Sequence, residues 1–162
     1  MSRRLIACAL VLVCFLTGCA NDDQYPTGIR KEFQDITLAF PGDFSDLSAE
    51  EVAKDADFMF GRKTLVVKGL KENKETVQAA SLAAYTQQLI RTNGLSCTAD
   101  PNGDGYLFTY EKELNGTTYS YTTATFEGAI NFWILQFYGP KDDLQENQPE
   151  IDIILESLQK KP

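Results

Sequence analysis

Between residues 33 and 160 the spacing of apolar side chains switches between two residues and about 3.6, the periods of strand and helix. Phe33–Phe40 reads as a first strand, closed by Pro41-Gly42. Ser48 and Glu51 stand at capping-box spacing and start a short helix that runs through about Asp55. Phe58-Met59-Phe60 is a compact hydrophobic knot that belongs in a core, and the β-branched stretch Thr64–Lys68 is a strand. From about Lys74 to Asn93 the period becomes helical. Ala79, Leu82, Leu89 and Ile90 share one face with Tyr85 beside them, and Asn93-Gly94 is the stop. Tyr106–Leu114 and Thr117–Phe126 flank Asn115-Gly116, the strongest short hairpin signal. Ala129–Tyr138 follows, with Trp133, Leu135 and Phe137 to one side and Ile130, Phe132 and Ile134 to the other. A strand apolar on both faces is covered on both, which makes this one central with helices on either side of its sheet. Gly139-Pro140 ends it, and a polar loop leads to Pro149, well placed to open a last helix. Ile151, Ile154, Leu155 and Leu158 form that helix's apolar stripe.

This order predicts an α+β fold, an antiparallel β-sheet sandwiched by helices, in a single domain over residues 32–162. No internal repeat or second domain is marked. Phe40-Pro41-Gly42-Asp43-Phe44, the strand bearing Trp133, and the final Glu150–Leu158 helix resemble the PsbP/Mog1-type fold. That group includes small bacterial envelope lipoproteins and shares no single activity. By analogy alone the resemblance implies a non-catalytic interaction module.

Upstream, Ser2-Arg3-Arg4 supplies a positive segment and residues 5–16 are an unbroken run of apolar or small residues. The run fits the core of a signal peptide, roughly 7–15 long, and falls short of the ~20 needed to span a bilayer. Leu16-Thr17-Gly18-Cys19 resembles the lipobox of bacterial lipoproteins, in which cleavage precedes the cysteine and diacylglycerol is attached to its sulfur. The resemblance makes residues 1–18 a signal peptide, Cys19 the lipidation site and 19–31 a tether with Pro26 and Gly28. Membrane anchorage through that lipid follows, since two or more acyl chains hold firmly where one is marginal. The domain is then expected outside the cytoplasm, on the cell membrane or the outer membrane. Ala20 after the cysteine favours the latter where enterobacterial sorting rules apply.

Charge narrows the partners. The formal charge is −8, and loss of Arg3 and Arg4 with the leader takes it to −10. Such a surface repels nucleic acid and anionic headgroups, so no nucleic acid partner is expected. The densest basic stretch, Arg62, Lys63, Lys68, Lys71 and Lys74, reads as the solvated side of a strand and turn. Of four cysteines, only Cys97 lies beyond the leader and the lipobox, and the chain has no histidine. This rules out an intramolecular disulfide in the mature domain, ordinary zinc sites and histidine-based triads. Cys97 without an activating base is expected to be a small buried hydrophobe, and no enzyme is expected.

Two constellations remain. Asp100, Asn102, Asp104, Gly105 and Glu111 fit the spacing of a calcium loop, in which Tyr106 would offer its carbonyl and Glu111 would bind bidentately. Against this, Tyr106 onward reads as strand, which carries Glu111 away from the loop, and Asp, Pro, Asn and Gly are also the residues of turns. Calcium and a plain turn both stay open, and no other cofactor is expected. The second constellation is aromatic. Tyr119, Tyr121, Thr123 and Thr125 share one face of a strand, and Tyr106, Phe108 and Tyr110 one face of its neighbour. Exposed, they would bind a protein or glycan of the envelope. Covered by a helix, they would be core.

Overall fold

The computed structural model describes residues 28–49 and 54–161. Cys19 and the expected signal peptide lie outside the described residues, as do residues 50–53 of the expected short helix. In chain order the elements are β1 (Ile29–Glu32), β2 (Ile36–Phe40), β3 (Ser45–Asp46), β4 (Phe58–Arg62), β5 (Leu65–Asn73), α1 (Lys74–Val77) and α2 (Leu82–Thr92). There follow β6 (Asp100–Asn102), β7 (Gly105–Leu114), β8 (Thr117–Glu127), β9 (Asn131–Pro140), α3 (Lys141–Glu146), α4 (Gln148–Glu156) and β10 (Gln159–Lys160).

Seven strands form an antiparallel sheet in the order β3-β4-β5-β9-β8-β7-β6, and three form a smaller one, β1-β2-β10. β9 is the middle strand, as its two apolar faces require. On one side Trp133, Leu135 and Phe137 meet Ile36, Leu38 and Phe40 of the small sheet and Ile151 and Ile154 of α4. On the other, Phe132 and Ile134 pack under Leu82 and Tyr85 of α2, with the Tyr85 and Phe132 rings stacked 4.5 Å apart. The expected antiparallel sheet flanked by helices is the observed architecture.

Several local expectations need correction. Phe33–Phe40 is not one strand. Phe33 N–H donates to Ile36 C=O at 2.8 Å, closing a tight turn, and only Ile36–Phe40 is extended. β1 lies upstream, beginning at Ile29 within the stretch expected as tether, because β2 offers it a partner for every residue. The helix expected over 74–93 is broken at residues 78–81. Gln78 closes α1 with a left-handed φ of 54°, and the Ser81 hydroxyl accepts from Ala84 N–H to begin α2. The expected polar loop after Pro140 is α3, whose acidic first turn suits the helix dipole and whose Leu144 is buried.

Of the expected capping box, Ser48 is described. Its hydroxyl accepts from Met59 N–H at 3.2 Å, tying it to β4. The Asn115-Gly116 turn is as anticipated, with φ of 52° and 79°. Ile130 is not in β9 but precedes it and is exposed.

Candidate functional site

β7, β8 and β9 run antiparallel with Tyr110 opposite Tyr121 and Tyr121 opposite Tyr138. One residue from each strand thus projects on the same face, in a line perpendicular to the strands. α2 covers the neighbouring part of that face. The Thr86 and Thr125 hydroxyls share a buried 2.6 Å hydrogen bond beneath it, and Phe108 is buried. The three tyrosines, farther along the same strands, remain half-buried.

The Tyr110 and Tyr121 rings stack with centroids 4.7 Å apart and planes 1° from parallel, and Tyr121 and Tyr138 lie 5.5 Å apart at 18°. Both faces of the Tyr121 ring are therefore taken by its neighbours. What the row offers outward is ring edges and hydroxyls. Gln136 Nε2 donates to the Tyr110 hydroxyl at 2.7 Å, and the Lys112 ammonium stands 5.4 Å from the Tyr110 ring centroid. Burial, with Tyr121 alongside, pushes the Tyr110 hydroxyl up to about 12. Burial also raises Tyr121 and Tyr138, each helped by nearby tyrosines. The row consequently stays protonated, a strip of donors and acceptors with no tendency to act as a base.

The expected aromatic surface is thus divided. Tyr110 and Tyr121 stand in the open row, and Tyr119 is half-buried at its margin. Phe108 is buried, and Tyr106 packs on the α2 cluster. The sequence reading missed Tyr138 and Gln136. The signal was available: the alternation that puts Phe132 and Ile134 on this face continues through both.

The calcium-spaced residues form a hairpin. Asp100–Asn102 pairs with Gly105–Leu107, and the two-residue turn between them uses Gly103 at φ 55°. Asp104 faces Lys160 at 3.4 Å, while Glu111, farther along β7, pairs with Lys141 at 2.8 Å and raises that lysine's pKa. Tyr106 Cα lies opposite Pro101 and Thr125 in the sheet. Among the described residues no three acidic or thiol side chains converge to hold a metal ion. Of the five residues, Asn102, Asp104 and Tyr106 line one cleft, while Asp104 and Glu111 are each turned to a different lysine.

Cys97 is half-buried between α2 and β6, and burial pushes its thiol up, which disfavours the nucleophilic thiolate. Asp35, the one buried carboxylate among the described residues, is saturated with donors: Trp133 Nε1–H at 2.6 Å, Asn131 N–H at 3.2 Å and Ile130 N–H at 3.3 Å. It ties the β1–β2 turn to the start of β9, a structural task. Among the described residues no helix is long and apolar enough to cross a membrane.

No protein-family model matches the chain, and no curated protein matches it. Among solved structures, one from Bacteroides thetaiotaomicron superimposes with a TM-score of 0.58 at 14% identity over 84% of this chain. The chain spans about half of that protein, 49% of its length. The overlap shows a shared fold alone. Cyanobacterial PsbP (CyanoP) from Synechocystis sp. PCC 6803 is similar with a TM-score of 0.48 at 9% identity, covering 93% of this chain and 98% of that one. LpqN, involved in cell envelope biogenesis of Mycobacterium tuberculosis, is similar at 0.48 and 13% identity, covering 84% of this chain and 90% of that one.

Proposed function

We propose that this chain is a lipid-anchored, non-catalytic envelope protein whose domain binds a protein partner through the open tyrosine row. The observation that carries the reading is the stack of Tyr110, Tyr121 and Tyr138, left half-exposed on the face that α2 covers in part. Tyrosines are enriched at interfaces because they combine apolar area with a polar tip and lose little conformational entropy. Here the stack already fixes the rings, which lowers the ordering cost of binding. A sugar ring would need a free aromatic face, and the Tyr121 ring has none, so the row favours a protein surface over a glycan. The absence of histidine from the chain and the raised thiol of Cys97 support a non-catalytic role. Anchorage rests on the lipobox resemblance at Leu16–Cys19.

Two experiments test the two halves of this reading. The intact chain should partition into detergent and the Cys19→Ser variant into the aqueous phase. Retention of Cys19→Ser in detergent would remove the anchor. A photo-crosslinking amino acid at Tyr119, on the margin of the row, should give discrete protein adducts in intact cells. The same group at Asp152, on the exposed side of α4, should give none. Adducts from Asp152 alone would move the interface off the sheet.

A further inference from the structure

A second recess lies on the opposite face of the large sheet from the tyrosine row. It is a cleft of about 380 Å³ between the β6–β7 hairpin and the C-terminal end of α4. Its floor is apolar: Ala124 and Phe126 of β8, with Leu155 and Leu158 from the other wall. Its rim carries one ion pair, Asp104 from the hairpin turn and Lys160 from β10, with Nζ and Oδ2 3.4 Å apart.

We propose that this cleft binds a small carboxylate with an apolar body. Lys160 is the one cation among the lining residues. The two members of its ion pair are unequally exposed. The Lys160 side chain is 35% exposed and the Asp104 side chain 87%. The lysine therefore stays at the mouth, while the aspartate, on a turn and almost wholly in water, is free to leave. An incoming carboxylate replaces an exposed carboxylate in kind, and Asp104 loses little by returning to solvent. An incoming amine has no such exchange, because it must settle beside the less exposed ammonium. The apolar body then covers Phe126, Leu155 and Leu158, and the volume, on the order of a dozen water molecules, suits a ligand of modest size. The hairpin that carries calcium spacing thus serves as one wall of a ligand cleft. The ion pair across it is the part a ligand would open.

The test uses the full chain with 3-phenylpropionate as probe, alongside 3-phenylpropionamide and 3-phenylpropylamine, which keep the apolar body and change the head group. Saturable binding of the acid is expected to raise the melting temperature and to shift the amide resonances of Phe126 and Lys160. The amide and the amine should bind at least tenfold more weakly. Lys160→Gln should lose the preference for the acid. Asp104→Asn, at an exposed turn position, should tighten the acid severalfold by removing the competing carboxylate. No saturable binding of the acid, equal binding of acid and amide, or weaker binding in Asp104→Asn would each overturn the proposal.

Discussion

The indole N–H of Trp133 donates to the Asp35 carboxylate at 2.6 Å, and both side chains are almost fully buried. Burial alone would raise the pKa of Asp35. The donors from Trp133, Ile130 and Asn131 outweigh it and hold the carboxyl below its ordinary 3.8. Because the folded-state pKa is lowered, the stability this cluster contributes is present above about pH 4 and lost as pH falls through the lowered value. Asp35→Asn turns an acceptor-only group into one that also donates, facing donors it cannot pair, and should cost about 2–3 kcal/mol at pH 7. The difference between the two proteins should shrink in acid. Urea unfolding followed by Trp133 fluorescence checks this directly, since it is the one tryptophan in the chain. A gap of constant size from pH 7 to pH 3 would show that the charge on Asp35 contributes nothing.

Gly69 lies opposite Phe58 in the β4–β5 ladder, and a Cβ there would fall 2.1 Å from the Phe58 ring. The ring lies over the bare glycine backbone and stacks on Phe33 at 4.1 Å, joining the two sheets. Gly69→Ala should therefore displace the ring and cost about 1–3 kcal/mol through overpacking. Gly94→Ala, where a Cβ meets nothing within 4 Å but φ is 63°, is a useful contrast. Its cost comes from the backbone alone, about 1 kcal/mol. Equal denaturation midpoints for wild type and Gly69→Ala would mean that the ring has somewhere else to go.

Much of this architecture was legible because burial imposes a period. β9 shows apolar side chains on both faces, and it is the strand with layers on both sides. Asn115-Gly116 names its own turn. What was not legible depends on partners distant in sequence. Ile29–Glu32 carries too little pattern to be a strand on its own and becomes one because β2 pairs with it. α3 has a single buried side chain, Leu144, and so no stripe to recognise. The tyrosine row required strand order as well as alternation. Spacing along one chain cannot say that Tyr110 and Tyr138 flank Tyr121, since that follows from β7, β8 and β9 lying side by side. The calcium spacing left calcium and a plain turn both open, because residues that suit a metal loop suit a hairpin turn equally well.

The tyrosine row carries an alkaline signature. Its hydroxyls titrate above the ordinary value of 10.0, with Tyr110 pushed up to about 12. With folded-state values raised, the stability they contribute is intact below pH 10 and lost as pH rises through the raised values. Absorbance titration near 295 nm should therefore show late-ionising tyrosines whose transition accompanies unfolding. Tyr110→Phe should delete one late component, with alkaline stability reduced less steeply. A full complement of tyrosines ionising near pH 10 in a folded protein would indicate that the row is more open than the structure shows.

Calcium should leave this protein's stability unchanged. The ion takes six to eight oxygens at 2.3–2.6 Å, and a calcium loop gathers them by folding back on itself. Here the chain goes straight instead. From Gly105 the backbone is extended through Glu111, a run of roughly 20 Å at 3.3 Å per residue. Glu111 and Asp104 each already face a lysine, Lys141 and Lys160. Bending β7 back to collect Glu111 would break its ladder with β8, which pairs every residue from Gly105 to Leu114. Thermal melts in millimolar calcium and in chelator should superimpose, and Asp104→Ala should move neither curve relative to the other. A calcium-dependent rise of several degrees that Asp104→Ala abolishes would require a second conformation of the hairpin, with β6 released from β7.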